Sequence, residues 1–325
     1  MLKASRRFVM AGAAALAASG AMGAARAQQA WPNRAVRVIV PFSPGGSNDV
    51  LARPLAERLS QTFRQPFVVE NRAGAGGAIG ADFVAKSAPD GHTLLFMSSS
   101  LTTNAAVQRL PYDPVADFTP IAEAAVAPMV VVVGKDFPAR DMGDLLRIAR
   151  ERPGQLRFGG AGPGDTSFFA AELLKMAAGL DMEAVAYRGI TEAQLDVAAG
   201  RIDLVVTTMA SAKSLLEAER LRLLATAAEQ RDPRMPEVPT VKEFGADYVT
   251  GVWWGLFGPA RMPATVVTGL NEAVNKALSE PAYRRLLETA GATPAPGTPD
   301  AFAAKVRAEV VRWTEVARRA GVAIR

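Results

Sequence analysis

Pro41-Phe42-Ser43-Pro44-Gly45-Gly46-Ser47-Asn48-Asp49 lies between the apolar run Val36–Val40 and a segment with Leu51, Leu55 and Leu59 at helical spacing. A strand passing through a Gly-Gly turn into a helix gathers free backbone N–H groups at one point, and the helix dipole adds partial positive charge there. Glycine also lets the backbone approach a ligand with no Cβ in the way. Ser47, Asn48 and Asp49 are all suitable helix N-caps. Such a turn is either an anion site or an ordinary strand-to-helix connection, and the rest of the chain must choose. One conflict is local: Pro54 predicts a helix that starts after Asn48 or kinks near Val50–Arg53.

A second turn of the same kind follows about 120 residues later. Leu156–Gly159 reads as a strand running into Gly160-Ala161-Gly162-Pro163-Gly164-Asp165-Thr166-Ser167, and Phe169, Leu173, Leu174 and Ala177 mark a helix behind it. Around these turns strands and helices alternate. Strands are expected at Phe67–Glu70, Thr93–Met97, Met129–Val133, Glu183–Tyr187, Ile202–Thr207, Arg222–Ala225 and Val252–Gly258. Helices are expected after Ile79 and Asp141, at Glu192–Ala199 and Ser211–Ala218, and in three closing stretches from Ala264 to Ala320. The alternation predicts an α/β protein with mostly parallel sheets flanked by helices. Ser98, Ser99 and Ser100 fall at the C-terminal end of their strand, where such sheets bind ligands.

The N-terminus reads as an export signal. Lys3, Arg6 and Arg7 precede an apolar small-residue run from Phe8 to Ala25, and Ala25-Arg26-Ala27 is a small-x-small cleavage site. Cleavage after Ala27 gives a periplasmic protein, exported by the Sec or the twin-arginine route. Lys3, Arg6, Arg7 and Arg26 account for most of the formal +5, leaving about +1 on the mature chain. That balance gives nucleic-acid binding no support. Without cysteine the 325-residue chain relies on its core, and a single histidine removes most zinc schemes.

Enzyme motifs fail on inspection. Gly74-Ala75-Gly76-Gly77-Ala78-Ile79-Gly80 misses the dinucleotide spacing because Ile79 stands where glycine is required. No phosphate loop and no G-x-S-x-G elbow exist, and His92, the sole imidazole, sits in a turn and reads as a surface or turn residue. Alternation places Trp253 and Trp254 on opposite strand faces, at least one in the core, and Arg188 is either an exposed residue or a carboxylate partner. We expect no catalytic residues, metal or cofactor.

Beyond these readings, the Pro41–Asp49 stretch resembles the P-[FY]-x-P-G-G-x-x-D segment of the Bug-type receptors of tripartite tricarboxylate transporters. Val69-Glu70-Asn71-Arg72, Ala88-Pro89-Asp90-Gly91, Leu110-Pro111-Tyr112-Asp113-Pro114, Tyr187-Arg188-Gly189, Pro236-x-Val238-Pro239-Thr240 and Trp253-Trp254-Gly255 match further family segments in order, over essentially the whole mature chain. The resemblance implies a two-lobed, Venus-flytrap fold of the type II periplasmic-binding-protein kind. Residues 28–124 and 251–325 would form lobe one and residues 125–250 lobe two. It implies a monomer that captures a small organic carboxylate between the lobes and passes it to a membrane permease. A sensor that presents the ligand to a histidine kinase is the alternative.

Carried over by position, the resemblance places Ser43, Gly45, Gly46, Ser47, Asn48, Ser98, Ser99 and Ser100 on the lobe-one side of the ligand. Ala161, Gly162, Gly164, Thr166, Ser167, Asp203 and Thr207 stand opposite. Where many relatives show S-A-G-x-G-T-S-S-H, this chain carries Pro163, Asp165, Phe168 and Phe169, and Thr207-Thr208 replaces Asp-Asn. These departures imply a more apolar or aromatic carboxylate rather than an amino acid.

Overall fold

In the computed structural model, which describes residues 31–319, two sheets divide the strands between them. β1 (Val36–Val40), β2 (Phe67–Asn71), β3 (Thr93–Ser98), β4 (Phe118–Pro128), β10 (Gly251–Pro259) and β11 (Thr293–Pro294) form the first, in the order β11-β4-β10-β3-β1-β2. β5 (Val130–Gly134), β6 (Arg157–Gly160), β7 (Glu183–Ala186), β8 (Leu204–Thr207) and β9 (Leu221–Thr226) form the second, in the order β7-β6-β8-β5-β9. Residues 1–27, expected to form an export signal, lie outside the described residues.

Each sheet has a parallel heart. β1 pairs in parallel with β2 and β3, and β6 with β7 and β8. β4, β10 and β5 run antiparallel to their neighbours, so both sheets are mixed. Val130–Val133 are fully buried, as expected of a continuous β-branched strand covered on both faces. The long strand β4 has no counterpart in the sequence reading. Its Ala-rich composition and two prolines conceal it, and antiparallel pairing with β10 along its whole length makes it a strand.

The helices that matter to the site are α1 (Ser47–Phe63), α2 (Ala78–Ala85), α3 (Ser100–Val107), α4 (Met142–Glu151), α5 (Thr166–Ala178), α6 (Ile190–Ala198) and α7 (Met209–Glu217). α8 (Ala264–Ser279), α9 (Pro281–Thr289) and α10 (Pro299–Arg319) close the chain. α1 runs unbroken from Ser47 despite Pro54, which corrects the expected late start or kink. Pro54 and Val50 lie off the buried Leu51–Leu55–Leu59 face, where the loss of one helical N–H is tolerated.

The chain changes sheets at Met129 and returns before Gly251. There Ala227 N–H donates to Met129 O (2.8 Å), Thr250 N–H to Ala227 O (3.0 Å) and Met129 N–H to Thr250 O (3.1 Å). The core of the first sheet gathers Ile39, Leu95, Met97, Trp253, Phe257 and Phe302, and that of the second Val130, Val132, Val197, Ile202 and Val205. Both tryptophans of the Trp253-Trp254 pair are buried, Trp253 edge-on to Phe302. His92 is buried rather than at the surface, its Nδ1 3.4 Å from Asp90, because its carbonyl accepts the Arg37 N–H at the start of the β1–β3 pairing.

Candidate functional site

A parallel strand that ends in a short turn hands its chain to a helix whose N-terminus faces the strand's carboxyl end. Here that rule operates four times. β1 leads to α1, β3 to α3, β6 to α5 and β8 to α7, and residues from all four junctions meet between the sheets. The cavity they enclose is small, about 30 Å³. Among the described residues nothing cationic lines it, and helix N-termini supply positive potential there.

Nine of the residues named from the sequence line this cavity. The first side contributes Ser43, Gly46, Ser47, Asn48 and Ser98, and the second Ala161, Thr166, Ser167 and Thr207. Phe42, Met129, Ile190 and Val252 supply an apolar wall that the motifs did not reveal. Thr208 and Asp165, singled out above only as departures from the family pattern, also line it, as does Ser211, which was missed. Thr208 and Asp165 are N-caps of α7 and α5, accepting the N–H groups of Ser211 and Ser167, a signal legible one residue before each helix.

The remaining named residues do not line the cavity. Gly45, at φ +83°, only shapes the first turn. Ser99 and Ser100 bond across the gap, Ser99 Oγ to Thr166 Oγ1 (3.0 Å) and Ser100 Oγ to Asp165 Oδ2 (3.0 Å). Gly164 is a close-approach position: a Cβ there would stand 1.9 Å from Asn104 Oδ1 on α3. Gly162, at φ +102°, makes the bend before it. Asp203 precedes β8, at the end opposite Thr207, where its carboxylate accepts the Arg157 N–H (2.7 Å), so it is a strand-edge contact far from the cleft end.

Of the departures singled out in the second turn, Asp165 lines the cavity and the other three fall elsewhere. Phe168 stacks edge-on against Phe158, and Phe169 against Trp313 of α10, both in buried clusters outside the cavity; Pro163 is exposed. These side chains therefore give no support to an aromatic ligand. Arg188 is exposed and outside the cavity.

Two carboxylates stand at the glycine turns. Asp49 accepts from Gly45 N–H (3.1 Å), Asn71 Nδ2 (3.0 Å) and Arg53. Burial pushes its carboxyl up, but Arg53, the Gly45 N–H and Asn71 outweigh that and hold it below the usual range. Asp165 has no cation beside it. Its Oδ1 accepts the Ser167 N–H (3.0 Å), the Ser167 hydroxyl and, at 3.4 Å, the Ala161 N–H. Burial pushes the Asp165 carboxyl up, against the hydrogen bonds from Ser167 and Ser100.

Further bonds close the two halves on each other. Ser43 Oγ donates to Glu192 Oε1 (2.8 Å), Thr191 Oγ1 to Pro44 O (3.1 Å), Ser47 N–H to Ser211 Oγ (2.8 Å) and Thr103 Oγ1 to Gly164 O (2.7 Å). Among the described residues no group of three His, Cys, Asp or Glu could hold a metal, and no helix is long and apolar enough to cross a membrane.

Two α/β halves closing on a cleft ringed by helix N-termini define a solute-binding protein of the periplasmic type. The tripartite tricarboxylate transporter family receptor model matches residues 51–322, and the chain belongs to that family, one of receptors rather than enzymes. It is similar to the UPF0065 protein in the tcbD-tcbE intergenic region of Pseudomonas sp. strain P51, 39% identical over 96% of this chain and 93% of that one. Among solved structures it is similar to R. palustris Rpa4515 with adipate (TM-score 0.88, 38% identity, 91% of this chain and 100% of the other). The periplasmic binding protein BugD is similar too (TM-score 0.87, 30% identity, 91% and 100%).

Proposed function

We propose that the protein is a periplasmic receptor that closes on a small organic carboxylate and delivers it to the permease of a tripartite tricarboxylate transporter. The observation that carries this reading is the convergence of four helix N-termini on one cleft that no cationic side chain lines. Each favourable contact between an anion and a helix N-terminus is worth about 0.3–2 kcal/mol, enough in combination for a carboxylate without an arginine clamp. Adipate in the similar Rpa4515 structure supports the ligand class.

In this reading the leader is removed after Ala27 and the mature chain works as a monomer. The two sheets act as two lobes, with the first crossing at Met129, after β4, rather than near residue 125 as expected, and the second near residue 250. The hinge is the backbone triad of Met129, Ala227 and Thr250, because those hydrogen bonds tie both crossings together. Ligand entry parts the lobes and breaks the Ser43–Glu192 and Ser47–Ser211 bonds; closure re-forms them around the ligand. Thermal-shift and calorimetric screening of mono-, di- and aromatic carboxylates tests the ligand class. Stabilisation by at least one class is expected, and none by any would overturn it. Loss of uptake of the bound acid in a deletion strain is the expected sign of permease delivery.

A further inference from the structure

The two glycine turns are not equivalent. α1 begins at Gly46 with no side-chain cap, and the Ser47 N–H is covered only by the Ser211 hydroxyl from the facing half, a partner that a ligand oxygen can displace. α5 is capped from within. Asp165 Oδ1 takes the N–H and hydroxyl of Ser167 and the Ala161 N–H, and Oδ2 takes the Ser100 hydroxyl. Two backbone donors of the second turn, at Ala161 and Ser167, are therefore occupied by the chain's own carboxylate, which is 6% exposed and lines the cavity, and the Thr166 N–H by the Ser100 hydroxyl; in the first turn Asp49 takes the Gly45 N–H but lies outside the cavity.

A second feature points the same way. Asn48 Oδ1, in a side chain 6% exposed on the same cavity, is buried without a hydrogen-bond partner. The cleft thus offers the glycine turn and N-terminus of α1 for a carboxylate and two acceptors, Asp165 and Asn48, for whatever else the ligand carries. No lysine or arginine lines the cavity to neutralise a second ligand carboxylate beside Asp165. Both Asp165 oxygens accept from donors of the chain, so a second ligand carboxylate would set acceptor against acceptor, and a buried acceptor without a donor is costly.

We propose that Asp165 sets the specificity of the cleft: it excludes dicarboxylates and selects a monocarboxylate whose other polar groups are hydrogen-bond donors, a hydroxyl or an ammonium. The inference rests on reading the cleft as a carboxylate receptor's and narrows that reading to one class of acid.

The test compares ligands of matched length by calorimetry on the mature protein: succinate against 4-hydroxybutanoate and 4-aminobutanoate, and adipate against 6-hydroxyhexanoate and 6-aminohexanoate. In the native protein a donor-ended acid is expected to bind at least tenfold more tightly than its diacid; which donor is preferred distinguishes hydroxyl from ammonium. Asp165→Thr keeps a good N-cap while removing the charge, and Asp165→Asn keeps the shape. Both should raise diacid affinity and lower that of the donor-ended acid, closing the tenfold gap, with far-UV circular dichroism unchanged. A diacid that binds the native protein as tightly as its partner, or a preference that survives both substitutions, overturns the role of Asp165 and leaves the receptor reading standing. Binding of none of the six acids removes the inference, and if the wider carboxylate panel also fails, the receptor reading falls with it.

Discussion

Gly46 illustrates how one residue's role depends on what faces it. Its φ of −73° and ψ of 165° suit any residue, so the glycine is not there for backbone conformation. A Cβ at Gly46 would meet Ile190 Cγ2 of α6 at 3.3 Å, across the gap between the halves. Gly46→Val should therefore leave the fold intact while holding the halves apart. Carboxylate affinity is expected to fall at least tenfold, about 1.4 kcal/mol, by calorimetry, with unchanged far-UV circular dichroism. Retained affinity would show that closure tolerates the added bulk. At this scale nine of the residues named from the motifs line the cavity. The motifs did not tell liners from supports. Gly164 is small because Asn104 lies against it, and Phe169 is aromatic because Trp313 lies against it; neither partner is near in sequence.

Helix ends and caps carry the next two predictions. α1 stops at Arg64 in the left-handed region, φ 54° and ψ 29°, where a Cβ is strained and glycine is not. Arg64→Gly should raise the free energy of unfolding by about 0.5–1 kcal/mol in denaturant titrations, after the entropy of the added glycine. The short 3₁₀ turn Val241–Phe244 is closed by a capping box, with Thr240 at its N-cap and Glu243 accepting the Thr240 N–H. The Arg231 guanidinium, with the Thr240 N–H, lowers the Glu243 carboxyl from 4.5 to about 2. Its folded pKa is depressed, so its contribution is complete above about pH 4.5 and is lost as pH falls toward 2. The melting-temperature difference between native protein and Glu243→Gln should accordingly be constant near neutrality and shrink between those values. Most elements were legible from periodicity. β4 was not, because its alanines and prolines carry no strand signal of their own and its partner β10 lies far along the chain.

For the molecule as a whole, function depends on the halves parting and meeting. The cleft holds about 30 Å³, well below the several hundred Å³ of ordinary ligand pockets, so a carboxylate enters only when the halves separate. A Cβ added at Gly189 would lie 2.8 Å from Ser43 Cβ, and the chain has no native cysteine to interfere. A disulfide needs a Cβ separation of about 3.5–4.5 Å, a shift that the turn can take up. Ser43→Cys with Gly189→Cys should form a disulfide on oxidation and tie the halves shut. Ligand exchange, followed by displacement calorimetry, should stop in the oxidised form and return on reduction; exchange at the native rate when oxidised would show that entry needs no opening.

The Pro41–Asp49 stretch by itself determined a strand, a glycine turn and a helix N-terminus pointing at one place. Those are local properties of backbone geometry and of donors the helix cannot satisfy. So did the second turn, Gly160 to Ser167. Which of those donors remain for a ligand was decided only by tertiary structure. The hydroxyl that reaches Asp165 comes from Ser100, 65 residues away, and the one that covers Ser47 from Ser211, 164 residues away. Hydrogen-bond partners that meet only when two sheets close leave no trace in spacing or periodicity.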